Sequence, residues 1–276
     1  MRTLVVHTGG IGDFLLSCPA LACLVAEGPV ELAGSADRIT LAVAGGLAAR
    51  AHSLDAIDFA SVFTAPSARL RAFLAGFDRA VVWMRDDDAA IASGLGSCGV
   101  ADVRCFAGLP PADWPRHASE YYLAALGYPA APPFRLAVAP TPRHEVILAP
   151  GSGGRRKNWP FDRFLTVAGE LAARGYGVAW CVGPAEESLR LPENHAALRD
   201  APLVEIAGIL AGARLYIGND SGITHLAAAV GCPTVAVFGP TDPTVWAPRG
   251  ARVHVVAGDP WPDAEAVLRD ARAVLA

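Results

Sequence analysis

At 276 residues the chain is long enough for two α/β halves, each able to bury its own core. A composition that is 53% hydrophobic and only 8% aromatic excludes a disordered or fibrous chain and suits buried parallel strands covered by helices. The net charge of −4 excludes a broadly basic nucleic-acid surface, so no nucleic-acid partner is expected and an anionic ligand must be met by local charge.

The first strand covers residues 3–7, and Thr8-Gly9-Gly10-Ile11-Gly12-Asp13 turns into a helix that begins near Phe14. Glycines at such a turn let the backbone come close to a ligand. Gly10 and Gly12 would supply the first two glycines of a dinucleotide fingerprint, but Leu15 fills the third place, which speaks against NAD. Asp13 stands at the C-terminal edge of the expected parallel sheet, where open α/β folds bind ligands; taken by itself it reads, with more support, as an ordinary helix cap. A secretion signal is rejected, because His7, Gly9, Gly10, Gly12 and Asp13 interrupt the apolar run. No window holds the ~18 apolar residues that cross a bilayer, so a cytoplasmic protein that visits a membrane surface without spanning it is expected.

Residues 39–44, 61–64, 79–84 and 102–106 read as strands, and 67–75 and 118–126 as helices. Their alternation argues a parallel, doubly wound sheet. Arg85-Asp86-Asp87-Asp88 follows a strand end and reads as a metal or acceptor site or, with more support, as a solvated turn into a helix. Between residues 128 and 143 five prolines and little charge mark a linker, dividing the chain into 1–143 and 144–276.

The second half opens with a strand at 145–149, then Pro150-Gly151-Ser152-Gly153-Gly154-Arg155-Arg156-Lys157-Asn158-Trp159-Pro160, then a helix at 161–174. Glycines and three cations at a strand end form a phosphate-binding arrangement, though not a Walker A loop, because GK[ST] is missing. Lys157 is the only lysine among the 23 basic residues. In so arginine-biased a chain, the retained ammonium points to a compact charge set on a phosphate. Further on, Tyr216-Ile217-Gly218 is a strand end, Asn219-Asp220-Ser221-Gly222 a turn, and an Ala-rich helix follows until Gly231 and Pro233 stop it. The orphan N–H groups at that helix start make Ser221 and Gly222 an anion site, while Asp220 and Ser221 read equally as a plain N-cap. The six cysteines form no CxxC pair and have no histidine at metal spacing, so reduced thiols and no structural zinc are expected. The last segment, 263–275, is an amphipathic helix expected to pack across the domain junction.

Three segments together resemble glycosyltransferase family 9, the heptosyltransferases of lipopolysaccharide core assembly. They are Gly10-Ile11-Gly12-Asp13 with Pro19-Ala20-Leu21, Pro150-Gly151-Ser152 with Lys157-Asn158-Trp159-Pro160 and Phe164, and Gly218-Asn219-Asp220-Ser221-Gly222 with His225-Leu226-Ala227-Ala228-Ala229 and Phe238-Gly239-Pro240-Thr241-Asp242-Pro243, with Trp246 and Pro248. The resemblance implies a GT-B fold: two Rossmann-like domains facing across a cleft, residues 1–143 on the acceptor side and 144–276 binding a nucleotide-sugar. It implies an inverting transfer with no metal and no cofactor, from ADP-heptose or another ADP-sugar to a lipopolysaccharide-core, lipid-linked or oligosaccharide acceptor at the inner-membrane face. Asp13 would be the general base and Lys157 the diphosphate clamp. Gly10, Gly12, Ser152, Asp220, Ser221, Gly222 and Thr224 would line the donor site, and Glu205 would stand near the ribose. His225 either lines that pocket or packs its helix. The sequence leaves open a sugar-nucleotide epimerase of the same fold and a non-catalytic nucleotide-sugar-binding relative.

Overall fold

The computed structural model describes residues 1–130, 134–141 and 145–276. The expected boundary between 143 and 144 and three of the linker prolines (Pro132, Pro133, Pro142) lie outside the described residues. The chain forms two compact units, Met1–Trp114 with Ala118–Pro132 and Pro115–His117 with Pro133–Ala276. Among the described residues no helix is long and apolar enough to cross a membrane.

In the N-terminal half the elements run β1 (Thr3–His7), α1 (Ile11–Glu27), β2 (Val30–Gly34), α2 (Ala36–Ala44), β3 (Arg50–Ser53), α3 (Ala68–Leu74), β4 (Arg79–Trp83), α4 (Ala90–Ser97), β5 (Asp102–Cys105) and α5 (Ala118–Leu126). The strands are parallel in the order β3-β2-β1-β4-β5. β1 and β2 are buried at every position, as strands covered by helices on both faces require. Leu4, Val6, Val82, Leu70 and Leu74 meet in one core cluster.

Two expected strands are not strands. Residues 39–44 belong to α2, where Ile39, Leu41 and Ala42 are buried and the Thr40 hydroxyl donates to the Ala36 carbonyl at 2.7 Å. Their β-branched residues suggested a strand, but β2 already fills that place beside β1. β2 itself is disguised by Glu31, a buried carboxylate held by Arg2 at 2.7 Å and His52 at 2.6 Å. Of residues 61–64, the first three fall in a 3-10 turn, Phe59–Phe63, which Thr64 caps, with Phe59 and Val62 buried at the three-residue spacing that such a turn aligns. The Arg85–Asp88 stretch is a helix start: Asp86 accepts the Ile91 and Ala92 N–H groups, both at 2.8 Å.

In the C-terminal half the order is β6 (Val146–Ala149), α6 (Phe161–Ala173), β7 (Val178–Val182), β8 (Ala196–Arg199), α7 (Leu203–Gly212), β9 (Leu215–Asn219), α8 (Gly222–Ala229), β10 (Thr234–Phe238), α9 (Pro243–Trp246), β11 (Val253–Ala257) and α10 (Ala264–Leu275). The parallel sheet reads β11-β10-β9-β6-β7-β8. Val267, Leu268, Ala271 and Leu275 of α10 enter the core of this half with Trp159, Phe164 and Trp180, so the apolar face expected at a domain junction is taken up by its own sheet.

Both sheets are Rossmann-like. Each is wound outward from its first strand, so the direction of winding reverses between β1 and β4 in one half and between β6 and β9 in the other. Ligands of open α/β sheets bind beyond the carboxyl ends of the strands at such a reversal. The turn after β1 carries Asp13, the turn after β6 carries Lys157, and the turn after β9 carries Asp220, Ser221 and Gly222.

Candidate active site

In the C-terminal half the loops after β6 and β9 are held together by Asn219, which has no exposed surface. Its Nδ2 donates to the Pro150 carbonyl at 2.7 Å and its Oδ1 accepts the Trp159 N–H at 2.9 Å. One side chain thus closes both ends of the Gly-rich loop against the end of β9. Trp159, almost fully buried, donates its indole N–H to the Pro262 carbonyl at 2.9 Å and packs edge-on against Phe164, which anchors the loop's far end. Inside the loop, the Ser152 hydroxyl stands 2.6 Å from Asn158 Oδ1 and accepts the Gly154 N–H at 3.3 Å.

The turn after β9 is ordered by a hydroxyl network. Thr224, fully buried, donates to the Asn219 carbonyl at 2.5 Å, so the Tyr216 and Ser221 hydroxyls, each 3.0 Å from its Oγ1, donate to it. Gly218 is required here, since a methyl group at that position would lie 2.3 Å from the Tyr216 hydroxyl. Ser221 is the N-cap of α8 and accepts the Thr224 N–H at 3.4 Å. Helix geometry leaves the Gly222 and Ile223 N–H groups without an intrahelical partner, at the positive end of the helix dipole. Lys157 Nζ lies 3.0 Å from Asp220 Oδ2; the lysine is one-third exposed and the aspartate buried. A partly exposed ammonium is therefore fixed beside a helix N-terminus, which is an arrangement for anionic oxygen.

His225 is buried behind Asp220. Burial holds its imidazole well below the ordinary histidine range, the Asp220 carboxylate opposes this, and His117 and Lys157 reinforce it. It is a neutral group at pH 7.

In the N-terminal half, Asp13 Oδ2 accepts the Gly10 N–H at 2.9 Å, closing the first turn of α1, and Gly12 lies within that turn. A methyl group on Gly9 would lie 2.9 Å from His7 Cε1 and 3.2 Å from Asp13 Oδ2, so these two side chains crowd the same point above the turn. His7 is buried, edge-on to Phe14, with neither ring nitrogen hydrogen-bonded. Burial, with the Arg38 charge, lowers its pKa to about 4, against a smaller opposing contribution from the Asp13 backbone. A pocket of about 450 Å³ opens beyond β4 and β5, lined by Arg85, Asp86, Asp87, Cys105, Phe106 and Ala107.

The structure thus gathers Ser152, Lys157, Asp220, Ser221, Gly222, Thr224 and His225 at one sheet edge, and Gly10, Gly12 and Asp13 at the edge of the other sheet. Glu205 is exposed on the first turn of α7, in the connection that follows β8. Three residues outside the expected set stand at the same sheet edge: Asn219, Tyr216 and Glu186. Glu186 follows β7, accepts the Gly183 N–H at 3.0 Å, and comes so close to Gly151 that a methyl there would lie 2.3 Å from its carboxylate. The signal for it was an acid just past the second strand of a Rossmann unit.

The sequence pattern described as glycosyltransferase family 9 (heptosyltransferase) matches residues 114–272. The chain belongs to glycosyltransferase family 9. Lipopolysaccharide heptosyltransferase 1 of Pseudomonas aeruginosa is 32% identical over 164 residues, 52% of this family 9 chain and 46% of the relative. The sequence match therefore takes in less than half of that relative's length. The structure of E. coli ADP-heptose lps heptosyltransferase II superposes with a TM-score of 0.78 at 19% identity, covering 100% of this chain and 98% of that one. E. coli heptosyltransferase WaaC with ADP gives a TM-score of 0.72 at 20% identity, covering 99% and 100%. The fold is accordingly GT-B, with two Rossmann-like, doubly wound domains.

Proposed function

We propose that this family 9 protein transfers heptose from ADP-heptose to a lipopolysaccharide-core or related glycan acceptor, with inversion and without a metal, at the cytoplasmic face of the inner membrane. The observation that carries the reading is the Lys157–Asp220 pair set beside the N-terminus of α8, where the winding of the sheet reverses. Relatives named heptosyltransferases, and a neighbour solved with ADP, supply the donor class.

On this reading residues 1–143 serve the acceptor and 144–276 the donor. Asp13 takes the proton of the acceptor hydroxyl as its oxygen bonds to the anomeric carbon. The bond from that carbon to the leaving phosphate oxygen breaks on the opposite side, which inverts the centre. ADP departs with added charge, met by the Lys157 ammonium and the Gly222 and Ile223 N–H groups. Ser221 caps that helix, and Thr224 fixes Ser221 from behind. The neutral His225 supports Asp220 without adding charge of its own. Ser152 shapes the loop over the diphosphate, and Gly10 and Gly12 keep the turn around Asp13 open. We assign the ribose hydroxyls to Glu186 in place of Glu205, because β7 lies next to β6 whereas β8 is one strand farther out. The pocket beyond β4 and β5 is where we place the acceptor.

Calorimetry against ADP-, UDP- and GDP-sugars in the presence of EDTA, with Lys157→Ala and Asp13→Asn beside the wild type, tests the proposal. ADP-heptose binding that weakens without Lys157 and survives Asp13→Asn, with transfer lost in the latter, is the expected pattern. Failure of every nucleotide-sugar to bind would sink it, and consumption of the donor without an acceptor would point to an epimerase.

A further inference from the structure

The loop after β10, Gly239-Pro240-Thr241-Asp242, has no part in the mechanism above. Its backbone is clamped from behind: a methyl on Gly239 would lie 2.5 Å from the Pro260 carbonyl and 2.6 Å from the Trp261 ring. The Gly258 N–H reaches the Phe238 carbonyl at 3.2 Å. Asp242 is committed, its Oδ1 accepting the Thr244 N–H at 2.8 Å as the cap of α9. Thr241 is not. Its hydroxyl is buried without a hydrogen-bond partner, although the residue as a whole remains partly exposed.

A buried hydroxyl with no partner is a destabilising arrangement, and no hydrogen bond holds it in that rotamer. Because the residue keeps exposed surface, rotation about χ1 is the motion that would exchange the hydroxyl with the methyl and bring it out of its buried position.

The order of strands says which part of a ligand that would be. Along the sheet edge the sequence is β10, β9, β6, β7, which sets the Thr241 loop, the α8 N-terminus, Lys157 and Glu186 in a row. Adjacent strands are about 4.8 Å apart, so the row from the end of β10 to the end of β7 spans about 14 Å. An extended ribose–diphosphate–sugar fits such a row in one direction when its ribose is at Glu186 and its diphosphate at Lys157 and α8. Its sugar then lies at the end of β10.

We propose that Thr241 is a specificity-determining residue for the transferred sugar, its hydroxyl turning outward to bond a sugar hydroxyl of the bound donor. This inference rests on the donor reading given above. It separates the sugar from the nucleotide, and so does its test.

The experiment is calorimetry with ADP and with ADP-heptose on the wild type, Thr241→Val, Thr241→Ser and Lys157→Ala. Thr241→Val is expected to weaken ADP-heptose roughly 5–10-fold, the loss of about one hydrogen bond, while leaving ADP unchanged and the thermal midpoint unchanged or higher. Thr241→Ser, which keeps the hydroxyl, is expected to bind ADP-heptose as the wild type does. Equal weakening of ADP and ADP-heptose by Thr241→Val, or no change in either, overturns the assignment and leaves the donor reading standing. Wild-type protein that binds neither ligand, or Lys157→Ala that binds both as well as the wild type, overturns the donor reading and this inference with it.

Discussion

The two sheets are wound alike, yet the ends of their strands are finished differently. At β6 and β9 nearly every polar side chain is already engaged: Asn219 ties both ends of a loop, Thr224 gathers two hydroxyls and a carbonyl, and Lys157 rests on Asp220. At β1 the turn holds Asp13 by one N–H group and leaves His7 buried with two unpaired nitrogens. On the proposed reading, the contrast matches the task of each edge. Stabilising charge on a leaving group needs dipoles fixed in advance, because reorganising them during reaction would consume the gain. A general base needs a proton acceptor with little else attached.

The sharpest way to break this contrast is at Asp13. Asp13→Asn keeps an acceptor for the Gly10 N–H and removes the base, so transfer is expected to fall roughly 10²–10⁴-fold with ADP-heptose affinity intact; unaltered turnover would end the comparison. Lys157→Ala comes next, with an expected loss of roughly 10²–10³ in kcat together with weaker donor binding. Steady-state kinetics at saturating acceptor separates those two effects.

A stability effect should follow from the staple. Asn219→Ala leaves the Pro150 carbonyl and the Trp159 N–H buried and unpaired, and is expected to cost about 2–4 kcal/mol in urea unfolding of the C-terminal half. His7→Phe is expected to act in the opposite sense in the other half, because it keeps the ring packing on Phe14 and removes two orphaned nitrogens. A gain of about 1 kcal/mol at pH 7 would sharpen the comparison, and a loss would mean that His7 has a partner role in the fold.

His7 also fixes a pH dependence. Its pKa is about 4 in the folded chain and about 6.5 unfolded. Below pH 6.5 the unfolded chain binds a proton that the folded chain refuses. Stability is therefore full above pH 6.5 and is lost as the pH falls towards 4, by up to about 3 kcal/mol. The buried His225 adds to the same slope in its own half. Hydrogen exchange of the β1 amides at pH 7 and pH 4.5 isolates the His7 part, and His7→Phe should flatten it.

The sequence made the strand–turn–helix units legible where an apolar run ends in glycine and a small polar residue, as at Asp13, Lys157 and Ser221. It concealed β2 because the Glu31 carboxylate interrupts the run, and Arg2 and His52, drawn from other strands or strand edges, make that burial tolerable. It suggested a strand at 39–44 because β-branched residues favour one locally, whereas the place beside β1 was already filled. Within the site, Asn219 was visible as one letter of a motif, but its reach to Pro150 and Trp159 is a contact between residues sixty to seventy positions apart. Glu186 went unread with the strand before it, and the resemblance pointed to Glu205 for the ribose.

Lys157 has one more consequence. It carries the only ε-amine in the chain, so an amine-selective reagent gives a single side-chain adduct. The rate of that labelling, with and without a candidate ligand, reports from one known atom on the turn beside α8, with no engineered tag and no spectroscopic assignment.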